Sequence, residues 1–297
     1  MTRLADLAEL VRAPAALSVP GDVLSGAAAA GALGPRTPAL AGASVLLYWA
    51  GMAANDWADR RLDAVERPER PIPSGRVRPA VALGVASGLT AAGLAVATAA
   101  GGRRAAAVAL PLAATIWGYD LRAKNTAAGP AVMAACRGLD VLLGASGGRV
   151  VRALPAAFTV AAHTWTVTAL SRREVTGADR RLPGLTLAGT ALIAAAVPAR
   201  PTSPVTGRRG SSLAARFGDL VPAVLAAGYA TRYGRAQARV LADPSPARVR
   251  AAVGTGITGL PALQGALTAR AGARLLGLAV AGAAPLGRRL ARLISPT

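Results

Sequence analysis

The stretch Ala80–Ala100, AVALGVASGLTAAGLAVATAA, contains no charged residue. Crossing ~30 Å of hydrocarbon takes ~20 predominantly apolar residues in helical form, so this segment is long enough to span a membrane by itself. Working outward, Ala105–Trp117, Val151–Leu170 and Leu185–Val197 are similarly apolar. The chain of 297 residues is 53% hydrophobic and only 16% charged, and its mean hydropathy is +0.41. These values lie away from those of soluble domains. Breakers divide the apolar runs: Gly34-Pro35, the Pro68–Pro79 loop, Gly101-Gly102, Gly147-Gly148, Pro198–Pro204 and Asp243–Pro246. Helices are predicted at about 14–34, 38–58, 79–100, 104–120, 128–147, 151–172, 183–199, 213–235 and 249–268. A last apolar stretch, about 271–290, is either a tenth span or a surface helix. The expected fold is all-α, a polytopic membrane bundle of about nine transmembrane helices around a central apolar cavity. Residues 1–297 are expected to form a single domain.

Lys and Arg number 34 against 14 Asp and Glu, a net charge of +20. In a soluble chain that excess would suggest nucleic-acid binding. Here the basic residues lie between apolar spans, and aromatics make up only 3% of the chain, too few for a stacking platform. Nucleic acid is therefore not an expected partner. With the N-terminus inside and each span alternating, the inside loops carry roughly twice as many basic residues as the outside ones, as the positive-inside rule requires. The ends of the second, fourth and sixth spans then share the cytoplasmic face of the cell (inner or plasma) membrane. Cys136 is the only cysteine, which excludes a disulfide framework and a cysteine-based metal site. Met1–Arg12 contains Asp6 and Glu9 and lacks the order of a cleavable signal; the first span is expected to direct insertion.

The polar residues gather at those three ends. Asn55-Asp56-Trp57-Ala58-Asp59-Arg60-Arg61-Leu62-Asp63 closes the second span. Asn55, Asp59 and Asp63 are spaced i, i+4, i+8 and line one helix face, with Asp56 close beside it. Carboxylates on adjacent turns lie ~5–6 Å apart, close enough to share a hard cation. Mg²⁺ favours a few carboxylates together with substrate phosphates. The plainer alternative is a solvated helix end neutralised by Arg60 and Arg61. Arg67-Pro68-Glu69-Arg70-Pro71-Ile72-Pro73-Ser74-Gly75-Arg76 follows, a proline-stiffened loop able to hold Arg70 and Arg76 over the acidic face. Arginine forks suit phosphate oxygens.

The run Asn55–Arg76 resembles the first aspartate-rich motif and following loop of the UbiA-type intramembrane prenyltransferase superfamily: Asn-x-x-x-Asp-x-x-x-Asp, then Arg-Pro-x-Pro-Ser-Gly. Tyr119-Asp120-Leu121-Arg122-Ala123-Lys124 resembles the Tyr-and-Lys loop after that family's fourth helix. Gly129–Gly144 is similar to the fifth helix of its EboC-like branch, and Arg235–Arg248 to the connection into the ninth helix. The family's second acidic motif, Asp-x-x-x-Asp, is represented by Ser171–Asp179, with Glu174 in place of the first Asp and one extra residue before Asp179. On a continuous helix that spacing turns Asp179 away from Glu174; Gly177 can end the helix and bring it back. Pairing of Glu174 with Arg172 or Arg173 is the structural alternative.

The resemblance implies a UbiA-like fold and prenyl transfer from an isoprenyl diphosphate to an acceptor that the sequence does not name, beside membrane lipid. It implies Mg²⁺ held by Asn55, Asp56, Asp59, Asp63, Glu174 and Asp179, with Asp59, Asp63, Glu174 and Lys124 as the catalytic set. Arg12, Arg70, Tyr119, Lys124 and Arg137 would bind the diphosphate. The EboC-like likeness points away from quinone precursors. Arg137 and Asp140, i and i+3 within the fifth span, are expected either to pair with each other or to form a polar wall. His163 is expected as a hydrogen-bonded core residue and Cys136 as a small buried one; Asp22 has no assigned role. Two other classes stay open: a transporter or lipid carrier with an acidic cation site, which would place acids near the midplane, and a catalytically inactive scaffold.

Overall fold

The computed structural model describes residues 3–13, 18–197 and 213–283; side chains of 213–219 are not among those described. All regular structure in them is helical. In chain order the elements are α1 (Leu4–Leu10), α2 (Pro20–Ala30), α3 (Thr37–Glu66), α4 (Pro79–Gly118) followed by a π turn (Tyr119–Ala123), α5 (Gly129–Ala145), α6 (Val150–Ser171), α7 (Arg181–Ala196), α8 (Leu213–Ala242), α9 (Pro246–Arg270) and α10 (Arg274–Ala283). Each of the nine predicted spans meets one apolar segment of this series, because α4 is two helical arms. Gly102 breaks it with φ 62°, ψ −153°, a backbone conformation open to glycine. The arms fold against each other, and the Trp117 indole on one donates to the Thr90 hydroxyl on the other at 3.0 Å.

The first span is shorter than expected. Pro20 opens α2, and Gly31 ends it in the left-handed region at φ 68°. Ala32 N–H bonds back to the Ala27 carbonyl, the helix-terminating pattern that a left-handed glycine permits. Residues 14–17, within the predicted range, lie outside the described residues, as does 284–290 of the last apolar stretch. The described part, α10, folds back on α9, with Gly265 and Gly277 at the point of closest approach.

Two elements, Thr37–Glu66 and Pro79–Ala123, are each long and apolar enough to cross a membrane, with mean hydropathies of 1.2 and 1.9. The outer surface supports the same setting. Val151, Phe158, Leu192 and Leu275 are 71–84% exposed, which suits lipid and would be unfavourable in water.

Packing within the bundle depends on small residues. A Cβ at Gly26 of α2 would collide with the Val141 carbonyl of α5, and one at Gly144 of α5 with the Val23 carbonyl of α2. Lipid supplies no hydrophobic drive between helices, so close backbone approach through small residues holds them. The α2–α5 crossing sits at the centre, with α2 also touching α3, α6 and α9. Gly144→Leu should therefore force the two helices apart and lower stability by about 1–3 kcal/mol or more, seen as a lower melting temperature and loss of the monodisperse peak in detergent. Gly84→Leu, with open space around it, should leave both unchanged.

Candidate functional site

α3 runs to Glu66, about two turns past its predicted end, so the whole Asn55–Asp63 motif is regular helix. The helical period of 3.6 divides the motif. Residues seven apart nearly eclipse, so Asp56 and Asp63 share one face, while Asn55 and Asp59 share the next. Each face meets its own partners. Asn55 donates to Asp120 of the π turn at 3.1 Å, and Lys124, just beyond that turn, reaches Asp59 at 2.6 Å. On the other face Arg70 bridges Asp56 (3.2 Å) and Asp63 (2.8 Å), and Arg12 joins Asp56 at 2.7 Å. Asp56 and Asp63 side chains are 5% and 3% exposed, whereas Asp59 is 23% exposed. Asp59 is the most open of the three aspartates.

Two segments cover this acidic face, α1 and the 67–78 loop, and Arg76 ties them together. Its guanidinium binds Asp6 (3.0 Å), both oxygens of Glu9 (2.6 and 2.9 Å), the Glu69 carbonyl (2.7 Å) and the Ser74 hydroxyl (3.1 Å). Arg76 was expected over the acidic face beside Arg70; it turns instead to α1, whose two acids offer a bidentate partner. The Asp6 carboxyl is held below its ordinary range, first by the Arg3 backbone N–H and then by Arg76. That contribution is fully present above the unfolded value, near pH 4, and is lost as pH falls through the lowered one. Arg12 has a left-handed backbone, φ 46°, which costs a non-glycine residue about 1–2 kcal/mol.

The second acidic stretch is built differently. α6 ends at Ser171, and residues 172–177 form a turn closed by Gly177 at φ 78°. Gly177 was expected to end the helix and bring Asp179 back toward Glu174; α6 has already stopped at Ser171, and beyond Gly177 the Ala178 N–H bonds to the Pro244 carbonyl. Asp179 accepts the Leu182 N–H at 2.9 Å at the start of α7. Glu174 is half-buried, and burial raises its carboxyl while Arg250 pulls it down. The Arg250 guanidinium bonds the Glu174 carbonyl at 2.9 Å. Arg172 donates to the carbonyls of Lys124 (3.3 Å) and Thr126, so it holds the Lys124 loop and does not pair with Glu174. Among the described residues neither Glu174 nor Asp179 bonds to the α3 acids.

Beneath the acidic end lies a cavity of about 340 Å³, whose lining includes Met52, Tyr119, Val167 and Leu260. Met52 is one turn before Asp56, so the cavity adjoins the start of the motif. Arg137 also lines it. The expected alternative of an Arg137–Asp140 pair is not what forms. Arg137 pairs with Asp22 at 2.8 Å, and Asp140 accepts the Ser44 hydroxyl. The glycine-mediated α2–α5 crossing brings Asp22 within reach. Acids are thus not confined to one end, since Asp22 and Asp140 are fully buried inside the bundle. His163 is buried as expected, its Nδ1 2.8 Å from the Tyr229 hydroxyl. Three participants had no role in the sequence reading: Asp120, the Asp6/Glu9 pair and Asp22. A lone aspartate within an apolar span, such as Asp22, was the available signal.

The α3 acids and Asn55 supply hard oxygen donors, and Arg12, Arg70 and Lys124 supply phosphate-binding cations beside them. Among the described residues no three acidic, His or Cys side chains converge on one point. Mg²⁺ is commonly held by one or two carboxylates plus substrate phosphates, so this donor set fits such an ion bound together with a diphosphate.

The UbiA prenyltransferase family model matches residues 21–188, more than half of the chain. The chain belongs to the UbiA prenyltransferase family. It is an integral membrane protein, as family members are. Digeranylgeranylglyceryl phosphate synthase of Methanothrix thermoacetophila is 44% identical over 80 residues, covering 26% of this chain and 30% of that one. The matched stretch is therefore under a third of that relative's length. Two solved structures share the fold. One, described as giving insights into the biosynthesis of digeranylgeranylglyceryl phosphate synthase in membranes, has a TM-score of 0.68 at 16% identity, over 91% of this chain and 99% of that one. The other, the apo structure of a UbiA homolog from Aeropyrum pernix K1, has a TM-score of 0.63 at 17% identity, over 85% and 96%.

In this UbiA family member, Arg76→Ala should release α1 from the 67–78 loop. Limited proteolysis within that loop should become faster, and amide exchange in α1 should rise. The Glu9→Arg/Arg76→Glu exchange should restore part of the protection; unchanged protection in Arg76→Ala would show that α1 is held by other contacts.

Proposed function

We propose that this chain transfers a prenyl group from an isoprenyl diphosphate to a lipid-like acceptor within the membrane. One observation carries the proposal: carboxylates paired with Arg12, Arg70 and Lys124 lie on α3 beginning one turn past Met52, which with Val167 and Leu260 lines the cavity. Anion-binding cations, metal-binding acids and a tail-sized apolar space in that order match the parts of a prenyl diphosphate. Asn55, Asp56, Asp59 and Asp63 are the residues to hold Mg²⁺, with Glu174 contributing from the second stretch. Asp179, engaged at α7, supports its loop. When bound, the metal neutralises phosphate charge and makes diphosphate a better leaving group.

The chain's own groups do the rest. Lys124, Arg12 and Arg70 exchange their carboxylate partners for phosphate oxygens, and the arginines do so with fork geometry. Tyr119, at the cavity mouth, donates a hydrogen bond to the diphosphate. The C1–O bond of the prenyl group breaks with its electron pair leaving on diphosphate; the acceptor nucleophile bonds to C1 and loses its proton. Apolar walls keep water from competing for the allylic cation. On the positive-inside bias, we assign the acidic end to the cytoplasmic side of the cell membrane.

Purified protein incubated with radiolabelled isoprenyl diphosphates of graded length should bind them with Mg²⁺ and lose binding in EDTA. Asp59→Asn and Asp63→Asn should each weaken binding roughly 10–100-fold. Diphosphate release should depend on Lys124, with Lys124→Ala lowering its rate. Absence of Mg²⁺-dependent binding at every chain length in wild type would sink the proposal.

A further inference from the structure

Apart from the acidic end, the bundle holds a second polar group, in which Arg137, expected from the resemblance to bind diphosphate, has an acid partner of its own. Asp22 of α2, Arg137 and Asp140 of α5, and Gln264 of α9 are all buried. Arg137 Nε is 2.8 Å from Asp22 Oδ2, and its Nη2 donates to the Ser18 carbonyl at 3.3 Å. Gln264 donates to Asp22 Oδ1 at 2.6 Å and to the same Ser18 carbonyl at 2.8 Å. The Arg137 guanidinium lies 5.4 Å from the centroid of the Tyr48 ring. Asp140, one turn along α5, takes the hydroxyl of Ser44, one turn before Tyr48 on α3.

Two observations mark this group as a ligand site. Arg137, Tyr48, Ser18 and His163 line the same cavity as Met52 and Tyr119, so a molecule in the cavity touches them. Polar atoms here are buried without a hydrogen-bond partner, the Tyr48 hydroxyl on a residue of the cavity wall and Asp140 Oδ2 and the Gln264 amide oxygen in the layer behind it. Unsatisfied polar groups are strongly unfavourable in the interior of a membrane protein, and their concentration beside a cavity points to a partner that arrives from it.

Charge decides the class of that partner. Arg137 is neutralised by Asp22, and Asp140 adds a second carboxylate against the one guanidinium. The wall therefore offers hydrogen bonds without net positive charge. A phosphate or carboxylate pressed against it would lose hydration and gain no counter-charge. An uncharged hydroxyl or carbonyl would gain hydrogen bonds from Tyr48 and Arg137 on the cavity wall.

We propose that the Tyr48–Arg137 wall binds the head of an uncharged, hydroxyl- or carbonyl-bearing acceptor, leaving anion binding to the mouth. The inference rests on the prenyl-transfer reading for the role of that ligand as acceptor. Its head would lack the phosphate carried in the name of the digeranylgeranylglyceryl phosphate synthase relatives.

The test is equilibrium binding of two tritiated probes with the same tail, 1-O-hexadecylglycerol and 1-O-hexadecylglycerol 3-phosphate, to the full chain in detergent without Mg²⁺. The neutral probe should bind at least about tenfold tighter. Tyr48→Phe, a near-isosteric change, should weaken the neutral probe about three- to tenfold with the melting temperature in detergent unchanged. Asp22→Asn should unmask Arg137 and raise affinity for the phosphate probe. Equal or tighter binding of the phosphate probe by wild type, binding of neither probe, or no effect of Tyr48→Phe on the neutral one would each overturn the proposal. So would a folded Asp22→Asn protein with no gain for phosphate; if that variant does not fold, the other two comparisons decide. Loss of the diphosphate result in wild type would strike the prenyl-transfer reading separately.

Discussion

A carboxylate in an apolar bundle needs a counter-charge, and the architecture of the polar end follows from how that need is met. Asp56 and Asp63 are almost wholly enclosed, and a single arginine, Arg70, spans both. Arg12 comes to Asp56 from just past the end of α1. Burial of either acid without its cation would be strongly unfavourable, so the 67–78 loop and α1 are drawn down over α3. The same pairing makes the site responsive. Cations that balance acids in one arrangement can balance phosphates in another, because the alternative partners carry the same sign.

Close helix packing makes the interior charges possible. Lipid does not drive helices together, so the α2–α5 contact depends on backbone approach at Gly26 and Gly144. That approach carries Asp22 to Arg137 and sets the depth of the polar wall. The bundle thus has two charge regimes along one cavity. At the acidic end, Arg12, Arg70 and Lys124 are each paired with a carboxylate of α3. Inside, one guanidinium is cancelled where it stands.

Much of this was legible in the sequence for clear physical reasons. Apolar length against bilayer thickness predicted nine spans, each of which meets a helical segment among the described residues, and Gly101-Gly102 announced the break within α4. The acidic motif was recognisable because its spacing follows the helical period. What spacing alone did not convey was the division of that motif. Asn55, Asp59 and Asp63 drift around the helix enough that Asp56 and Asp63 share one set of partners and Asn55 and Asp59 another. The extent of α2 was obscured as well, since the apolar run continues past Gly31, where only backbone conformation ends the helix.

The sequence by itself determined the class of the molecule, an apolar helical bundle with acids and arginines concentrated near one end, because hydropathy and local spacing are properties of neighbouring residues. Tertiary structure decided the pairings. Arg137 had Asp140 one turn away and bound Asp22, 115 positions earlier; Arg76 passed over the acids of α3 for those of α1; Asp179 went to the start of α7. For both arginines a local partner was available and a distant one won, whereas Asp179 kept a local one, the Leu182 N–H three residues on. An ion pair in a low-dielectric interior is governed by the distance and burial of its partners, and those are set by which helices cross, not by which residues are close in sequence.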